Sequence, residues 1–278
     1  AAKAMEGLVN LPANPSSIHQ FGRAARSKMD IARHQLADAL AASVHEIIFT
    51  SGGTEANNLV LGNYRNILTS AVEHDAVLAA CPDAHIIEVD KSGLIRLDQL
   101  ESALDAISDA DRAKTLVSVM AANNETGVIQ PIEAVADLCS VYNVACHSDM
   151  IQYLGKLPIE LSQMKLKFAS FSAHKLGGPS GVGALYCRDG QQLVSLLRGG
   201  GQEQGRRAGT ENLPGIIGFG AAVAAHDIDN INVQTSWRDE MEADIQQACP
   251  EIEVMGAGAP RLANTSALYL PQLSAQKA

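Results

Sequence analysis

The segment Ser170-Phe171-Ser172-Ala173-His174-Lys175-Leu176-Gly177-Gly178-Pro179 sets a primary amine directly after a short apolar run, among small residues and beside an imidazole. An amine in a strand-end crevice is partly desolvated, which favours its neutral, nucleophilic form and Schiff-base formation. Taken alone, the same string reads as a surface turn or a phosphate-contacting lysine. Asp149, 26 residues earlier, closes the run Val144 to His147 and would aim a carboxylate into the same crevice. A carboxylate there needs a cationic partner. The protonated pyridine nitrogen of pyridoxal 5'-phosphate (PLP) is one, and the carboxylate in return keeps that ring an electron sink. By itself Asp149 also reads as an ordinary turn cap.

Ser51-Gly52-Gly53-Thr54-Glu55-Ala56-Asn57-Asn58 follows a second strand-like run and opens a helix. Gly53 lets backbone amides approach an anion, and the helix N-terminus and the Thr54 hydroxyl favour a phosphate. Ser172 and His174 could add donors from a separate loop. The string is neither a dinucleotide fingerprint nor a Walker loop, which counts against nucleotides. His74, in Val72-Glu73-His74-Asp75, could stack on a ring and relay protons. Asn124, in Asn123-Asn124-Glu125-Thr126-Gly127, could reach a ring hydroxyl or a substrate carboxylate, and Gln152 could donate to a phenolic oxygen. Each of these three has a plain reading as a turn or surface residue.

Such groups must be held by strand ends. Apolar runs at Glu46 to Thr50, His85 to Val89, Thr115 to Met120, Val144 to His147, Phe168 to Phe171 and Val182 to Tyr186 read as strands. Helical spacing runs between several of them, over Asp98 to Ile107 and Ile132 to Tyr142, and precedes them over Ser27 to Ala42. The alternation predicts an α/β fold with a mainly parallel sheet, whose ligands bind beyond the carboxyl ends of the strands. After Gly199 comes a Gly- and Arg-rich loop, then an Ala-rich helix from Pro214 to His226. Residues 1–230 are expected to form a large domain. Residues 231–278 are expected to begin a smaller one, with a helix over Trp237 to Ala248 and a strand over Ser266 to Leu270.

The 278 residues carry 31 acidic and 21 basic side chains, a net charge of -10, which disfavours a nucleic-acid partner. No apolar stretch is long enough to span a membrane. Cys81, Cys139, Cys146, Cys187 and Cys249 are widely spaced with no zinc or dithiol pattern, so a reduced, cytoplasmic setting without a metal site is expected. The start at Ala1-Ala2-Lys3 and the close at Ser274 to Ala278 both read as truncations.

Taken together these strings resemble the class-V aminotransferase-like PLP enzymes, and most closely the cysteine desulfurases and selenocysteine lyases. The match rests on Asn14-Pro15-Ser16-Ser17-Ile18-His19, Phe49 to Asn58, Glu73-His74, Asn123 to Gly127, His147-Ser148-Asp149, Ser172 to Lys175, and Gly199-Gly200-Gly201-Gln202-Glu203 through Arg207-Ala208-Gly209-Thr210, in family order. The resemblance implies the aspartate-aminotransferase-like fold of PLP-dependent transferases, with a small domain that is truncated here. It assigns Lys175 as the Schiff-base lysine, His74 to the ring face, Asp149 to the pyridine nitrogen and Gln152 to the phenolic oxygen. It assigns Gly53, Thr54, Ser172 and His174 to the phosphate, and Asn124 to the cofactor. Thr210 would reach the cofactor phosphate of the other subunit, implying a homodimer.

The implied activity converts L-cysteine to L-alanine and an enzyme persulfide, for an iron-sulfur scaffold or another sulfur-acceptor protein. Selenocysteine cleavage, or another carbon-sulfur lyase activity, is the alternative, and a non-catalytic PLP-binding scaffold is a third. The family's persulfide cysteine is expected beyond residue 278, as is its substrate-binding arginine, and its N-terminal strand is missing. Met150-Ile151 stands where the family has Ala-Thr.

Overall fold

The computed structural model describes residues 1–6, 14–227 and 229–271. Seven strands form one sheet: β1 (Ile47–Thr50), β2 (Asn66–Ser70), β3 (His85–Ile87), β4 (Thr115–Ser118), β5 (Ala145–Asp149), β6 (Phe168–Ser172) and β7 (Gly183–Cys187). Their order is β1-β7-β6-β5-β4-β2-β3. β7 pairs antiparallel with both β1 and β6, and every other pairing is parallel. All strands except β7 therefore run in one direction, and their carboxyl ends share one edge. This is the mainly parallel α/β sheet the alternation predicts.

β1, β4, β6 and β7 read as runs of apolar, small or hydroxyl residues because both their faces are covered. Ile47, Phe49, Val117, Ala169 and Phe171 pack into one cluster with Met29, Leu36, Leu100, Val135 and Phe219 from the flanking helices. Ile48, Leu116, Phe168 and Leu185 face the other way, against Ala56, Leu59 and Val60 of the helix Gly53–Leu61. On the first face the helix Gln20–Ala39 buries Ala25, Met29, Ala32 and Leu36, spaced by three and four residues, against the helix Leu213–Ala224. It begins earlier than the spacing from Ser27 suggests, because His19 Nδ1 caps it by accepting from Gly22 N at 3.2 Å.

β2 is the strand that hydrophobic periodicity does not show. Only Ile67 and Leu68 of its five residues are apolar. Its polar side chains are satisfied inside the protein, with the Thr69 hydroxyl donating to Ser118 O at 2.8 Å and Ser70 Oγ to Glu73 Oε1 at 2.6 Å.

Beyond residue 228 the helix Asp229–Ala248 starts well before the expected Trp237, and a short hairpin follows, β8 (Glu253–Val254) with β9 (Leu268–Tyr269). Glu242 clamps the two parts together, accepting from Arg261 at 2.7 and 2.6 Å and from Ser266 at 2.6 Å. Backbone bonds from Ile129 N to Pro260 O and from Leu262 N to Gly127 O, both 2.8 Å, fasten this part to the turn after β4. The terminal segment Ser274 to Ala278 lies outside the described residues.

Gly183 opens β7 between Thr50 and Ser172, the last residues of β1 and β6. A Cβ there would lie 2.6 Å from Gly52 C and from Phe171 O, both backbone atoms that cannot swing away. Gly183→Ala should therefore destabilise the fold by about 1–3 kcal/mol, as overpacking of a tight interior does. Denaturant unfolding checks this through a lowered midpoint.

Candidate active site

Five chain segments meet at the shared sheet edge. Gly53 and Thr54 follow β1, His74 and Ala76 follow β2, and Met120 and Asn124 follow β4. Asp149 ends β5 and is followed by Ile151 and Gln152. Ser172 ends β6 and is followed by His174 and Lys175. These residues line one cavity of about 270 Å³. Nine of the ten residues expected from sequence are thus brought together. Thr210, the tenth, lines a separate hollow with Thr50, Ser51, Arg207 and Asn212.

Asp149 sits at the floor, 4% exposed. Asn57 Nδ2 donates to its Oδ2 at 2.7 Å, and Ile151 N to its Oδ1 at 3.0 Å. No cation touches it among the described residues. Burial raises its pKa against these two hydrogen bonds and the attraction of nearby His74. His74 stands at the rim and caps the short helix Asp75–Leu78, its Nδ1 accepting from Ala76 N at 3.0 Å. That bond assigns the ring proton to Nε2.

The helix Gly53–Leu61 begins at Gly52 with no side-chain cap, so its first amides are left for a ligand. Beside it Ser172 Oγ pairs with His174 Nδ1 at 2.9 Å. Burial, and then the Lys175 ammonium, lowers the His174 pKa. Lys175 itself is exposed, whereas a strand-end crevice was expected to desolvate it; the 3-10 turn Ala173–Leu176 carries it out of the sheet edge. Glu55, in the first turn of the helix Gly53–Leu61, accepts from Ser51 N at 2.8 Å and from Arg207 Nε at 2.9 Å. Burial opposes ionisation there, but the Arg207 and Ser51 bonds prevail and hold Glu55 below its ordinary pKa. The Arg-rich loop is thereby tied to the start of that helix.

Three groups at the site carry no motif of their own. Asn57 is buried and holds Asp149. Glu73, just before His74, is buried, and its Oε1 accepts from Ser70 Oγ at 2.6 Å and Met120 N at 2.8 Å. It thereby ties the His74 turn to the end of β4. Lys156 Nζ donates to Gln152 Oε1 at 2.5 Å. Asn57 and Glu73 lie within strings that repeat familiar patterns, but nothing in one sequence separates a buried Asn or Glu from an exposed one.

The Aminotransferase class-V profile matches residues 2–277. The chain belongs to the class-V aminotransferase family. This class-V chain is 39% identical over 272 residues to the cysteine desulfurase IscS of Dictyoglomus turgidum, covering 90% of its own length and 67% of that protein's. Its structure superposes with a TM-score of 0.94 on a NifS-like protein from Rickettsia africae, at 34% identity, covering 99% of this chain and 79% of the other. A structure described as SspA in complex with cysteine gives a TM-score of 0.84 at 32% identity, covering 97% of this chain and 79% of that one.

Glu73 makes the stability of this class-V chain depend on pH. Burial first, with Asp149 adding to it, pushes its carboxyl from 4.5 up to about 8, against the bonds from Ser70 and Met120. The folded state therefore holds a proton that the unfolded state has released, and the stability this contributes is complete below pH 4.5 and lost as pH rises through about 8. Glu73→Gln keeps the Oε1 acceptor and removes the titration. Urea unfolding across this range should show a shallower decline in the variant than in the wild type.

Proposed function

We propose that the cavity binds PLP and that the chain carries the cofactor-binding part of a cysteine desulfurase, releasing L-alanine from L-cysteine. The observation that carries this reading is a single cavity joining an amine, a buried carboxylate without a cation, and an uncapped helix N-terminus. These three suit the aldehyde, the ring nitrogen and the phosphate of that cofactor, so the residues present fit it. Curated relatives named cysteine desulfurase favour cysteine over selenocysteine, and an enzyme over an inert scaffold.

When bound, PLP supplies an electron sink that spreads negative charge developing at the substrate α-carbon. Asp149, held by Asn57 and Ile151 N, would keep the proton on the ring nitrogen. The amides of Gly53 and Thr54, with Ser172 and His174, would hold the phosphate, and His74 would cover the ring. Lys175 Nζ would anchor the cofactor and hold or move a proton at the substrate α-carbon. Asn124 would contact the ring or the substrate carboxylate, and Gln152 the phenolic oxygen.

Thr210, outside this cavity, is assigned to the phosphate of a second copy's cofactor in a homodimer. The four buried thiols, Cys81, Cys139, Cys146 and Cys187, do not line the cavity. The reading leaves acceptance of the sulfur to another cysteine, and its onward transfer to an iron-sulfur scaffold or another acceptor protein. Among the described residues no helix is long and apolar enough to cross a membrane, and unpaired thiols suit the proposed cytoplasmic setting.

Purified protein given PLP should show a visible absorbance that borohydride reduces and that Lys175→Ala abolishes. A colourless wild type after reconstitution would sink the proposal. In a chain competent for turnover, Asp149→Ala should lower alanine release from cysteine by about a hundredfold or more, the loss typical of removing a preorganised electrostatic partner. An alanine assay checks it.

A further inference from the structure

Lys156 lies four residues after Gln152, in Gly155-Lys156-Leu157-Pro158, and has no motif to mark it. The turn after β5 bends it back towards the cavity. Tyr153 N and Leu154 N both donate to Met150 O, Lys156 N donates to Tyr153 O, and Gly155 takes φ +77° against His226 and Leu176. The half-buried Lys156 Nζ then donates to Gln152 Oε1 at 2.5 Å. No carboxylate among the described residues forms an ion pair with it.

The two ends of a glutamine amide have nearly the same shape and opposite chemistry, so its partners decide which end points where. An ammonium carries three donors and no acceptor. It can bond Oε1 and only repel Nε2, and reversing the amide would forfeit a charge-assisted bond while setting donors against a cation. Gln152 also lines the cavity.

We propose that Lys156 is a positioning residue whose ammonium locks the Gln152 amide, so that the donor end, Nε2, is the one presented to the cavity. This rests on the PLP reading, under which Nε2 faces an oxygen of the bound ring. Burial first, and then the neighbouring Lys175 ammonium, lowers the Lys156 pKa to about 8, which keeps it mostly charged at neutral pH. Lys175 reaches it from the turn after β6, and the other titratable groups around the cavity are His74, Asp149 and His174.

The test loads the whole chain with PLP and follows the absorbance of the bound cofactor against pH. It compares the wild type with Lys156→Met, Lys156→Arg, Gln152→Leu and the Lys156→Met/Gln152→Leu double variant. Lys156→Met retains the apolar stem and removes the donor. It should move the absorbance transition by about one pH unit, the size set by one hydrogen bond to an ionised oxygen. Gln152→Leu should move it in the same direction, and the double variant no further than Gln152→Leu alone. Lys156→Arg, which is also donor-only, should restore the wild-type transition.

Additive shifts in the double variant, or coloured Lys156→Met protein with a wild-type transition, overturn the proposal. If Lys156→Met does not fold, Lys156→Leu, which also lacks a donor, takes its place; the same shift supports the proposal and a wild-type transition overturns it. A colourless wild type overturns the PLP reading and this proposal with it, which separates that failure from one confined to Lys156.

Discussion

A carboxylate withdrawn from water at the end of a central strand is the constraint around which the site is arranged. Asp149 lies at the carboxyl end of β5, in the middle of a seven-stranded sheet, with one side-chain donor and one backbone donor. Two hydrogen bonds do not offset the desolvation of a full charge, and burial accordingly raises its pKa. A cationic ligand ring placed against it removes that penalty. His74 and the Lys175 turn line the same cavity as this carboxylate.

The titratable groups nearest Asp149 on the sheet are held uncharged. Burial first, with Asp149 adding to it, pushes Glu73 up to about 8, which keeps it protonated near neutral pH. His147, two residues before Asp149 on β5, is fully buried and pushed down to about 3 by burial alone. Its two nitrogens are bound at 2.8 Å to Ser118 Oγ and at 2.9 Å to Ser170 Oγ. A neutral acid and a neutral base thus lie beside Asp149, so the low-dielectric end of the sheet carries little further charge.

The sheet topology explains why five distant segments converge. Because β7 runs against both its neighbours, β1 points the same way as β6, and the helix Gly53–Leu61 starts at the same edge as the Lys175 turn. Gly183 sits between Thr50 of β1 and Ser172 of β6, where a Cβ would meet Gly52 C and Phe171 O, so only a residue without a side chain fits. A second tether lies on the outer side of β1. There Glu203 accepts from both guanidinium nitrogens of Arg33, at 2.9 and 2.6 Å, and from Phe49 N at 2.9 Å. Residues Glu203, Gln204 and Gly205 all take left-handed backbone angles. This buried ion pair holds a strained loop whose continuation presents Arg207 to Glu55, fixing the loop that carries Thr210.

Residue types and spacing were enough to establish the α/β alternation, to locate Gly53, Thr54, Asp149, Ser172, His174 and Lys175 at strand ends, and to indicate which chemistry they suit. Those features are local: an apolar run followed by a polar or small-residue turn carries its own meaning. The sequence did not show β2, whose polar residues are buried because Ser118 O and Glu73 lie across from them. It did not single out Asn57, Glu73 or Lys156, whose roles come from partners 92, 47 and 4 residues away at Asp149, Met120 and Gln152. Burial, and with it the direction of every pKa shift at the site, depends on what the fold stacks around a group. Only the tertiary structure decides that, because desolvation and hydrogen bonding act between neighbours in space rather than neighbours along the chain.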